Sequence, residues 1–322
     1  MSKLLIFQCC LFLQSVSGIG VCYDPMHLVE IHGTYTAELI AKDMEAIAKA
    51  GFSQVRTYAS VYGENINVAE LIASAGMQAV LGVPIGIDVA ETHRQLRAAV
   101  KASTTGSVST IFVGNENLAN LNSVPSKMFD YIAFVRDNVP GSVKVGTVQR
   151  VTEFLNPNLD QSFANLMSKC DVMGVNMYPF FSDSTDSPKM ILNAQWTAVQ
   201  DKFDYSGEFI SSESGWPSAG SSGGNVGNVE NQQSFVSQYY EWLVEEGMEQ
   251  SGFYFQMFDQ PYKLSYAPTF EGAFGLFAAS GESKGITLPF SSNALSTSTT
   301  ASTAPAANMI PPLLFVLGFF FR

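Results

Sequence analysis

The feature of this sequence that most constrains its fold is a regular alternation of short apolar segments and helical segments. The apolar segments predict eight strands, over residues 19–23, 52–58, 77–83, 108–113, 143–148, 172–177, 208–212 and 252–258. Between them, helices are predicted over residues 36–50, 68–75, 90–102, 125–138, 160–169, 188–203 and 229–246. Strands that are apolar along their whole length and joined by helices indicate a parallel sheet covered on both faces. Eight such units predict an α/β fold, a (β/α)8 TIM barrel.

An open doubly wound sheet is the alternative to a barrel. Sheets of that kind usually carry a Gly-rich phosphate loop after the first strand. Here the first strand is followed by Asp24 and Pro25, without such a loop. The barrel is therefore the favoured prediction.

The two ends of the chain differ from its middle. Residues 1–17 resemble a secretory signal peptide, with a positive charge at Lys3, an apolar run and small residues near Ser17. Residues 291–308 consist almost entirely of Ser, Thr, Ala, Pro and Asn, a composition that cannot form a core. Residues 309–322 are mostly apolar but too few to span a bilayer as a helix. A polar spacer before a short apolar tail is the pattern of a GPI attachment signal, and the tail of such a signal is removed.

These ends predict one folded domain over residues 18–290, followed by a stalk that carries the lipid attachment region. We expect a secreted protein that is tethered to the outer leaflet of the plasma membrane or lies in the cell wall. We also expect a monomer.

The charge and composition exclude some classes of partner. The formal net charge is −12, with 17 basic and 29 acidic residues, and no basic patch of the kind that nucleic-acid binding needs. An acidic chain with 12% aromatic residues suits a neutral polar ligand such as a sugar. The histidines His27, His32 and His93 lack ligand spacing with Cys or carboxylates, so neither a metal nor another cofactor is expected.

Two cysteines remain once the signal is set aside, Cys22 and Cys170. An even pair in an oxidising compartment invites a disulfide. Both, however, lie in or beside apolar strands that are far apart in the predicted order. Buried free thiols are therefore the favoured prediction.

Polar residues follow the predicted strands at one end. In a TIM barrel the active residues lie at the carboxyl ends of the strands, so these side chains would form one polar bowl. The aromatic Trp216, after the seventh strand, is a further candidate for stacking on a sugar. The predicted substrate contacts are Tyr23, Arg56, Tyr58, Asn115, Asn176, Tyr178, Trp216 and Asp259.

Two carboxylates stand out in this bowl, Glu116 after the fourth strand and Glu213 after the seventh. The strands that carry them lie across the barrel mouth from each other, so the two side chains could face a bound substrate. Two carboxylates that flank a scissile bond are the equipment of glycoside hydrolysis, one protonated and one ionised. Like charges and unequal burial can separate their pKa values.

Three motifs give the chain a resemblance to a known family. They are Ile19-Gly20-Val21-Cys22-Tyr23, Val113-Gly114-Asn115-Glu116 and Ser212-Glu213-Ser214-Gly215-Trp216-Pro217-Ser218. The chain resembles glycoside hydrolase family 17, which comprises β-1,3-glucanases, some β-1,3-1,4-glucanases and fungal wall glucanosyltransferases. The resemblance extends over about residues 19–277.

The resemblance implies a retaining mechanism in which Glu116 is the general acid/base and Glu213 the nucleophile. It further implies that Asn115 touches the sugar 2-hydroxyl and that Tyr178 hydrogen-bonds the nucleophile. The chain departs from the family at Gln256 and Gln260, where relatives usually carry Glu at one or both positions. The change leaves the predicted reaction class intact and puts subsite affinity and pH optimum in question.

Three functions are consistent with these features. The first is an endo-1,3-β-glucanase acting on the β-1,3-glucan of cell walls. The second is a β-1,3-glucanosyltransferase that passes the glycosyl group to another chain instead of to water. The third belongs to a different class, a catalytically silent glucan-binding wall protein, although the presence of both Glu116 and Glu213 disfavours it.

Overall fold

The computed structural model describes residues 19–86, 88–265 and 267–290. The predicted signal peptide over residues 1–17 and the predicted stalk and tail over residues 291–322 lie outside these described residues. Every statement below concerns the described part of the chain.

Eight parallel strands close into a barrel, which confirms the predicted α/β (β/α)8 fold. Neighbouring barrel strands are neighbours in sequence, and β1 pairs with both β2 and β8 to complete the ring. The strands are Gly20–Tyr23 (β1), Gln54–Thr57 (β2), Gln78–Val83 (β3), Val108–Asn115 (β4), Lys144–Arg150 (β5), Val172–Asn176 (β6), Glu208–Ser214 (β7) and Gly252–Tyr254 (β8).

Helices cover the outside of the barrel. Their bounds are Met26–His32, Ala37–Ala50, Val68–Ser74, Val89–Ser103, Ser126–Asn138, Val151–Leu155, Asp160–Met167, Pro188–Lys202 and Val229–Glu245. In the described chain no helix is both long and apolar enough to cross a membrane.

The helix Ala37–Ala50 shows how local sequence sets these elements. Thr36 Oγ1 accepts a hydrogen bond from the Leu39 amide at 3.2 Å, which satisfies one free donor of the first turn. Residues Ile40, Met44 and Ile47, at helical spacing, are fully buried against the barrel. Gly51 ends the helix with φ at +99°, a conformation that favours glycine.

Burial of these apolar faces holds the barrel together, at about 1.5–3 kcal/mol for each fully buried aliphatic or Phe side chain. The two cysteines belong to this core. Cys22 and Cys170 are buried and free, as predicted.

The eighth strand is shorter than predicted and ends at Tyr254 rather than Phe258. The backbone beyond it stays attached to the neighbouring strands, since the Phe255 amide donates to the Ser214 carbonyl at 2.8 Å and the Met257 amide to the Cys22 carbonyl at 3.0 Å. It also pairs with the segment that follows. The Gln256 amide donates to the Phe274 carbonyl at 3.3 Å, and the Leu276 amide donates to the Gln256 carbonyl at 3.0 Å. This later segment brings a second stretch of chain to the carboxyl end of β8.

The structure also contains short elements that apolar periodicity did not predict. They are the helices Met26–His32 and Val151–Leu155, and two small hairpins formed by Val61–Tyr62 with Ile66–Asn67 and by Ser221–Ser222 with Asn225–Val226. All of them follow barrel strands, so they build up the rim of the mouth.

The end of the described chain packs at the opposite end of the barrel. The Phe290 ring contacts Phe52, just before β2, with ring centroids 5.1 Å apart. It also contacts Tyr240, in the second half of the helix Val229–Glu245, at 5.5 Å. The chain that follows β8 therefore ends at the amino-terminal end of the barrel.

Candidate active site

The mouth of the barrel carries a connected set of polar side chains. Strands β4, β5 and β7 run further than predicted, to Asn115, Arg150 and Ser214, so several of the polar residues belong to the strands themselves. Side chains on a strand alternate between the barrel interior and the helices outside. Arg56 on β2, Tyr58 directly after it and Glu213 on β7 all point inward. There Arg56 and Tyr58 both contact Glu213.

Glu213 is buried and accepts hydrogen bonds from three side chains. Arg56 Nη1 donates to its Oε1 at 2.6 Å and Tyr58 donates to the same oxygen at 3.0 Å. Tyr178 donates to its Oε2 at 2.6 Å. Burial raises the pKa of both phenols, so they stay protonated and able to donate. Three donors, one of them a cation, stabilise negative charge on Glu213.

Arg56 fixes the position of this carboxylate. The side chain is buried, and the same Nη1 also donates to the Ser212 carbonyl at 3.0 Å. Its Nη2 donates to Asn115 Oδ1 at 2.8 Å. Arg56 therefore connects β2 to both β4 and β7, and it orients the Asn115 amide next to the second carboxylate.

Glu116 lies in a different environment from Glu213. Its Oε1 accepts a hydrogen bond from Asn176 Nδ2 at 2.7 Å. Burial, with the negative charges of Glu213 and Glu153 adding to it, raises the pKa of Glu116 to about 7. The Asn176 amide and the Arg150 guanidinium act in the other direction. The result is a carboxyl that holds a proton close to neutral pH.

A local distortion of β4 aims Glu116 into the mouth. The pairing of β4 with β5 shifts register between Phe112 and Asn115. Gly114 and Glu116 both have positive φ, +83° and +55°. The Glu116 amide still donates to the Val148 carbonyl at 2.9 Å, so the distorted segment stays attached to β5. Such irregularities re-aim side chains at barrel rims.

The structure brings seven of the predicted residues together. Hydrogen bonds join five of them in one group, Arg56, Tyr58, Asn115, Tyr178 and Glu213. The other two, Asn176 and Glu116, form a pair that Ser212 links to this group. The two carboxylates also influence each other electrostatically, since the charge of Glu213 is the main contributor after burial to the raised pKa of Glu116. The group therefore combines a proton-holding carboxyl with a charge-stabilised carboxylate.

Three predicted contacts lie outside this group. The Tyr23 side chain is 1% exposed and points away from the interior, where its hydroxyl donates to Asp43 Oδ2 on the outer helix at 2.6 Å. Its neighbour Cys22 is the residue that faces inward, with Arg56 Nη1 3.7 Å from its sulfur. A strand residue next to an inward-facing one must face outward, which is why Tyr23 packs rather than lining the mouth.

Trp216 and Asp259 are likewise engaged elsewhere. The indole of Trp216 is buried against Phe180 and donates from Nε1 to the Val226 carbonyl at 3.0 Å. Asp259 accepts from Lys284 Nζ at 2.6 Å and from the Gly275 amide at 2.9 Å. Both residues connect loops of the rim, so they support the mouth from outside.

The two glutamines that depart from the family pattern are both buried. Gln260 Nε2 donates to the Asp24 carbonyl at 3.0 Å and thereby ties the loop after β8 to the loop after β1. In the described residues, Gln256 Nε2 and Gln260 Oε1 are buried without a hydrogen-bond partner. Neither side chain adds charge to the mouth.

A cavity of about 170 Å³ opens beside this group between β2, β3 and β4. Its polar side includes Arg56, Asn115 and Asn117, and its apolar side includes Pro84 and Ile85. Asn117 was not singled out from the sequence, yet its Oδ1 accepts from the Asn115 amide at 2.8 Å. An aliphatic wall opposite amide groups matches the two kinds of surface that a sugar ring presents.

The described residues contain no cluster of three or more His, Cys, Asp or Glu side chains that could hold a metal ion. The side chains of the mouth offer carboxyl, amide, phenol and guanidinium groups.

Sequence comparison finds relatives in fungi. The profile of the BtgE/BtgC glycoside hydrolase domain matches residues 20–275. A probable beta-glucosidase btgE of Aspergillus flavus is 30% identical over 251 residues, which cover 74% of this chain and 39% of the relative. A probable family 17 glucosidase SCW4 of Saccharomyces cerevisiae is 29% identical over 236 residues, covering 69% of this chain and 56% of the relative. The match thus spans about two-fifths of the length of the Aspergillus protein.

Structure comparison gives the same fold. An endo-laminarinase from Formosa superimposes with a TM-score of 0.67 at 18% identity, covering 84% of this chain and 85% of the other. A family 17 β-1,3-glucanosyltransferase from Rhizomucor miehei superimposes with a TM-score of 0.66 at 22% identity, covering 84% and 96%. The resemblance to glycoside hydrolase family 17 is confirmed, and the chain belongs to the BtgE/BtgC family of glycoside hydrolases.

Proposed function

We propose that this barrel is a retaining glycoside hydrolase that cleaves β-1,3-glucan, with Glu116 as general acid/base and Glu213 as nucleophile. The observation that carries the proposal is the contrast between the two carboxylates. Glu213 accepts three hydrogen bonds, one of them from the cationic Arg56, whereas burial and nearby acids raise the pKa of Glu116 to about 7, so that it holds a proton close to neutral pH. This is the division of labour that glycosidic cleavage needs.

In the first step a Glu213 oxygen attacks the anomeric carbon of the sugar. The bond from that carbon to the glycosidic oxygen breaks, and the proton of Glu116 passes to the leaving oxygen. In the second step the ionised Glu116 takes a proton from water, whose oxygen displaces Glu213 from the anomeric carbon. Glu116 is then protonated again and Glu213 is free.

The residues around the pair have matching roles in this scheme. Arg56, Tyr58 and Tyr178 hold Glu213 in line and stabilise its charge before attack. Asn115 is exposed at the mouth and is oriented by Arg56, which suits contact with the 2-hydroxyl of the sugar bound there. Asn176 keeps the Glu116 carboxyl at a fixed position.

The names of the relatives support β-1,3-glucan as the substrate. One structural neighbour is an endo-laminarinase, and the Rhizomucor enzyme is described in a complex with laminaritriose. A glucanosyltransferase is the second candidate, supported by that same neighbour. The covalent intermediate is common to both activities, and they differ only in whether water or a sugar hydroxyl accepts the glycosyl group. In either case we propose a monomer that acts outside the cell on wall glucan, tethered by a lipid anchor.

Product analysis tests the proposal. The purified secreted protein is incubated with a reduced laminari-oligosaccharide, beside Glu213→Gln and Glu116→Gln. Glu208→Gln is the matched control, because Glu208 lies on the same strand at the far end and pairs with Lys144. We expect cleavage by the wild type and the control, and loss of at least about 10³-fold in Glu213→Gln.

The products distinguish the two candidates. Products that are all shorter than the substrate indicate hydrolysis, and longer products indicate transfer. A wild-type protein that retains the oligosaccharide on a column without cleaving it would instead identify a glucan-binding protein and refute the catalytic roles.

A further inference from the structure

The serines on either side of Glu213 are all buried, and each has a different partner. Ser211 Oγ lies 2.8 Å from the Tyr239 hydroxyl, and Ser214 Oγ donates to the Met177 carbonyl at 2.7 Å. Ser212 Oγ donates to Asn176 Oδ1 at 2.8 Å. Ser212 differs from the other two because its partner in turn donates to Glu116. The strand that carries one carboxylate thus also contacts the other through two hydrogen bonds.

We propose that Ser212 is a positioning residue for the acid/base, because its hydroxyl holds the Asn176 amide within hydrogen-bond distance of Glu116. The inference rests on the proposed function of Glu116. Through this link, a residue on the strand that carries Glu213 influences the proton affinity of Glu116.

The local packing is built around the Ser212 hydroxyl. Gly174 precedes Asn176 by two residues on β6, so both face the same side of the strand. A Cβ at position 174 would lie 2.6 Å from Ser212 Oγ. Glycine at this position therefore leaves the space that the Ser212 hydroxyl occupies next to the Asn176 amide.

The link acts on Glu116 in a defined direction. A hydrogen bond donated to the ionised carboxylate favours that form, and the Asn176 amide accordingly lowers the pKa of Glu116. The charged groups that face Glu116 are Glu213 and Glu153, which raise its pKa, and Arg150, which lowers it. If the amide is loosened, the effects of burial and of the two acids are less opposed, and the pKa rises.

Ser212→Ala tests the link, with Ser214→Ala as its matched control. Both substitutions remove one buried hydroxyl of β7, which bonds to Asn176 at the end of β6 or to Met177 directly after it, so both should lower the unfolding temperature by similar amounts. Only Ser212→Ala should move the alkaline limb of kcat/KM to higher pH, by about half a pH unit or more. Ser212→Cys, a less drastic change, should move the limb in the same direction and covers the case in which the alanine variant does not fold.

A double variant separates a direct effect from one that passes through the amide. In an Asn176→Ala background, Ser212→Ala should cause no further shift of the alkaline limb. A full additional shift would show that Ser212 acts on Glu116 by another route and would refute the proposal.

A measurement that does not depend on turnover keeps this inference distinct from the proposed function. The carboxyl of Glu116 is titrated by NMR in protein carrying ¹³C-labelled Glu, in the wild type and in Ser212→Ala. A raised titration midpoint in the variant supports the link even if no glucan is cleaved, in which case the proposed function alone fails. Coincident titrations in an active enzyme leave the proposed function standing and overturn the positioning role.

Discussion

Two glutamates in one barrel mouth differ in what surrounds them rather than in their chemistry. Glu213 sits among a guanidinium and two phenols, all of which donate to it. Glu116 has one amide donor, is largely removed from water, and lies near other acids. The contrast between the two carboxylates that the proposed mechanism uses therefore comes from neighbouring side chains.

The pH dependence of activity follows from Glu116. Its folded pKa of about 7 lies above the usual range of a Glu, so the carboxyl keeps its proton up to near neutrality and loses it above. We expect kcat/KM on laminari-oligosaccharides to fall above about pH 7, approaching tenfold per pH unit. A pH–rate profile measures this.

The control uses a substrate with a good leaving group, such as an aryl glucoside. Glu116→Gln should lose the alkaline limb of that profile, because no acid remains to be titrated. A variant that retained the limb would assign it to another group.

At the scale of single elements, the irregular end of β4 is the feature that bears most on the site. The chain is distorted at Gly114 and Glu116, where β4 brings Asn115 and Glu116 to the mouth. The register of this strand against β5 is therefore part of the catalytic geometry.

Gly114→Ala should disrupt that geometry. At φ +83° a side chain is strained, and the added Cβ would meet Asn117 Oδ1 at 2.4 Å. We expect about 1–2 kcal/mol less stability and about 100-fold lower kcat/KM, since small misplacements of catalytic groups are costly. Denaturant unfolding and steady-state kinetics measure the two effects.

Gly141→Ala is the matched control, because a Cβ at that position meets nothing within 4 Å. It should leave both quantities nearly unchanged. An equal loss of activity in the two variants would contradict a special role for the end of β4.

Prediction from the sequence worked best for the positions of the strands. It could not give the direction of individual side chains or the register between strands. Continuous apolar segments identify a buried parallel strand, and a polar residue after each one locates the mouth. Periodicity does not say which of two adjacent residues faces inward. The sequence predicts Tyr23 as a contact, whereas in the structure Cys22 faces the interior and Tyr23 faces the outer helix. The link from Ser212 to Asn176 depends on register between β6 and β7, which a single sequence does not reveal.

At the scale of the whole molecule, the chain after β8 holds the rim together. Lys284 is 11% exposed, and its Nζ donates to Asp259 Oδ1 at 2.6 Å and to Ser218 Oγ at 2.8 Å. These partners lie in the loops after β8 and β7, so one buried cation joins both loops to the last segment of the described chain. Asp259, a predicted substrate contact, forms part of this junction.

Lys284→Met should destabilise the protein by about 1–3 kcal/mol, because it leaves the partly buried Asp259 without its cation. Thermal or denaturant unfolding measures the loss. The double variant Lys284→Met with Asp259→Leu removes both charges and should recover much of it. If the single and double variants were equally unstable, the ion pair would not account for the effect.

The packing of Phe290 fixes where the described chain ends relative to the barrel mouth. Because this ring packs beside Phe52 and Tyr240, the described chain ends on the side of the barrel away from Glu116 and Glu213. An attachment made through the downstream chain would therefore lie at the amino-terminal end of the barrel, opposite the mouth. Under the proposed anchoring, the mouth would face away from the point of attachment and would act on glucan strands that lie beyond it.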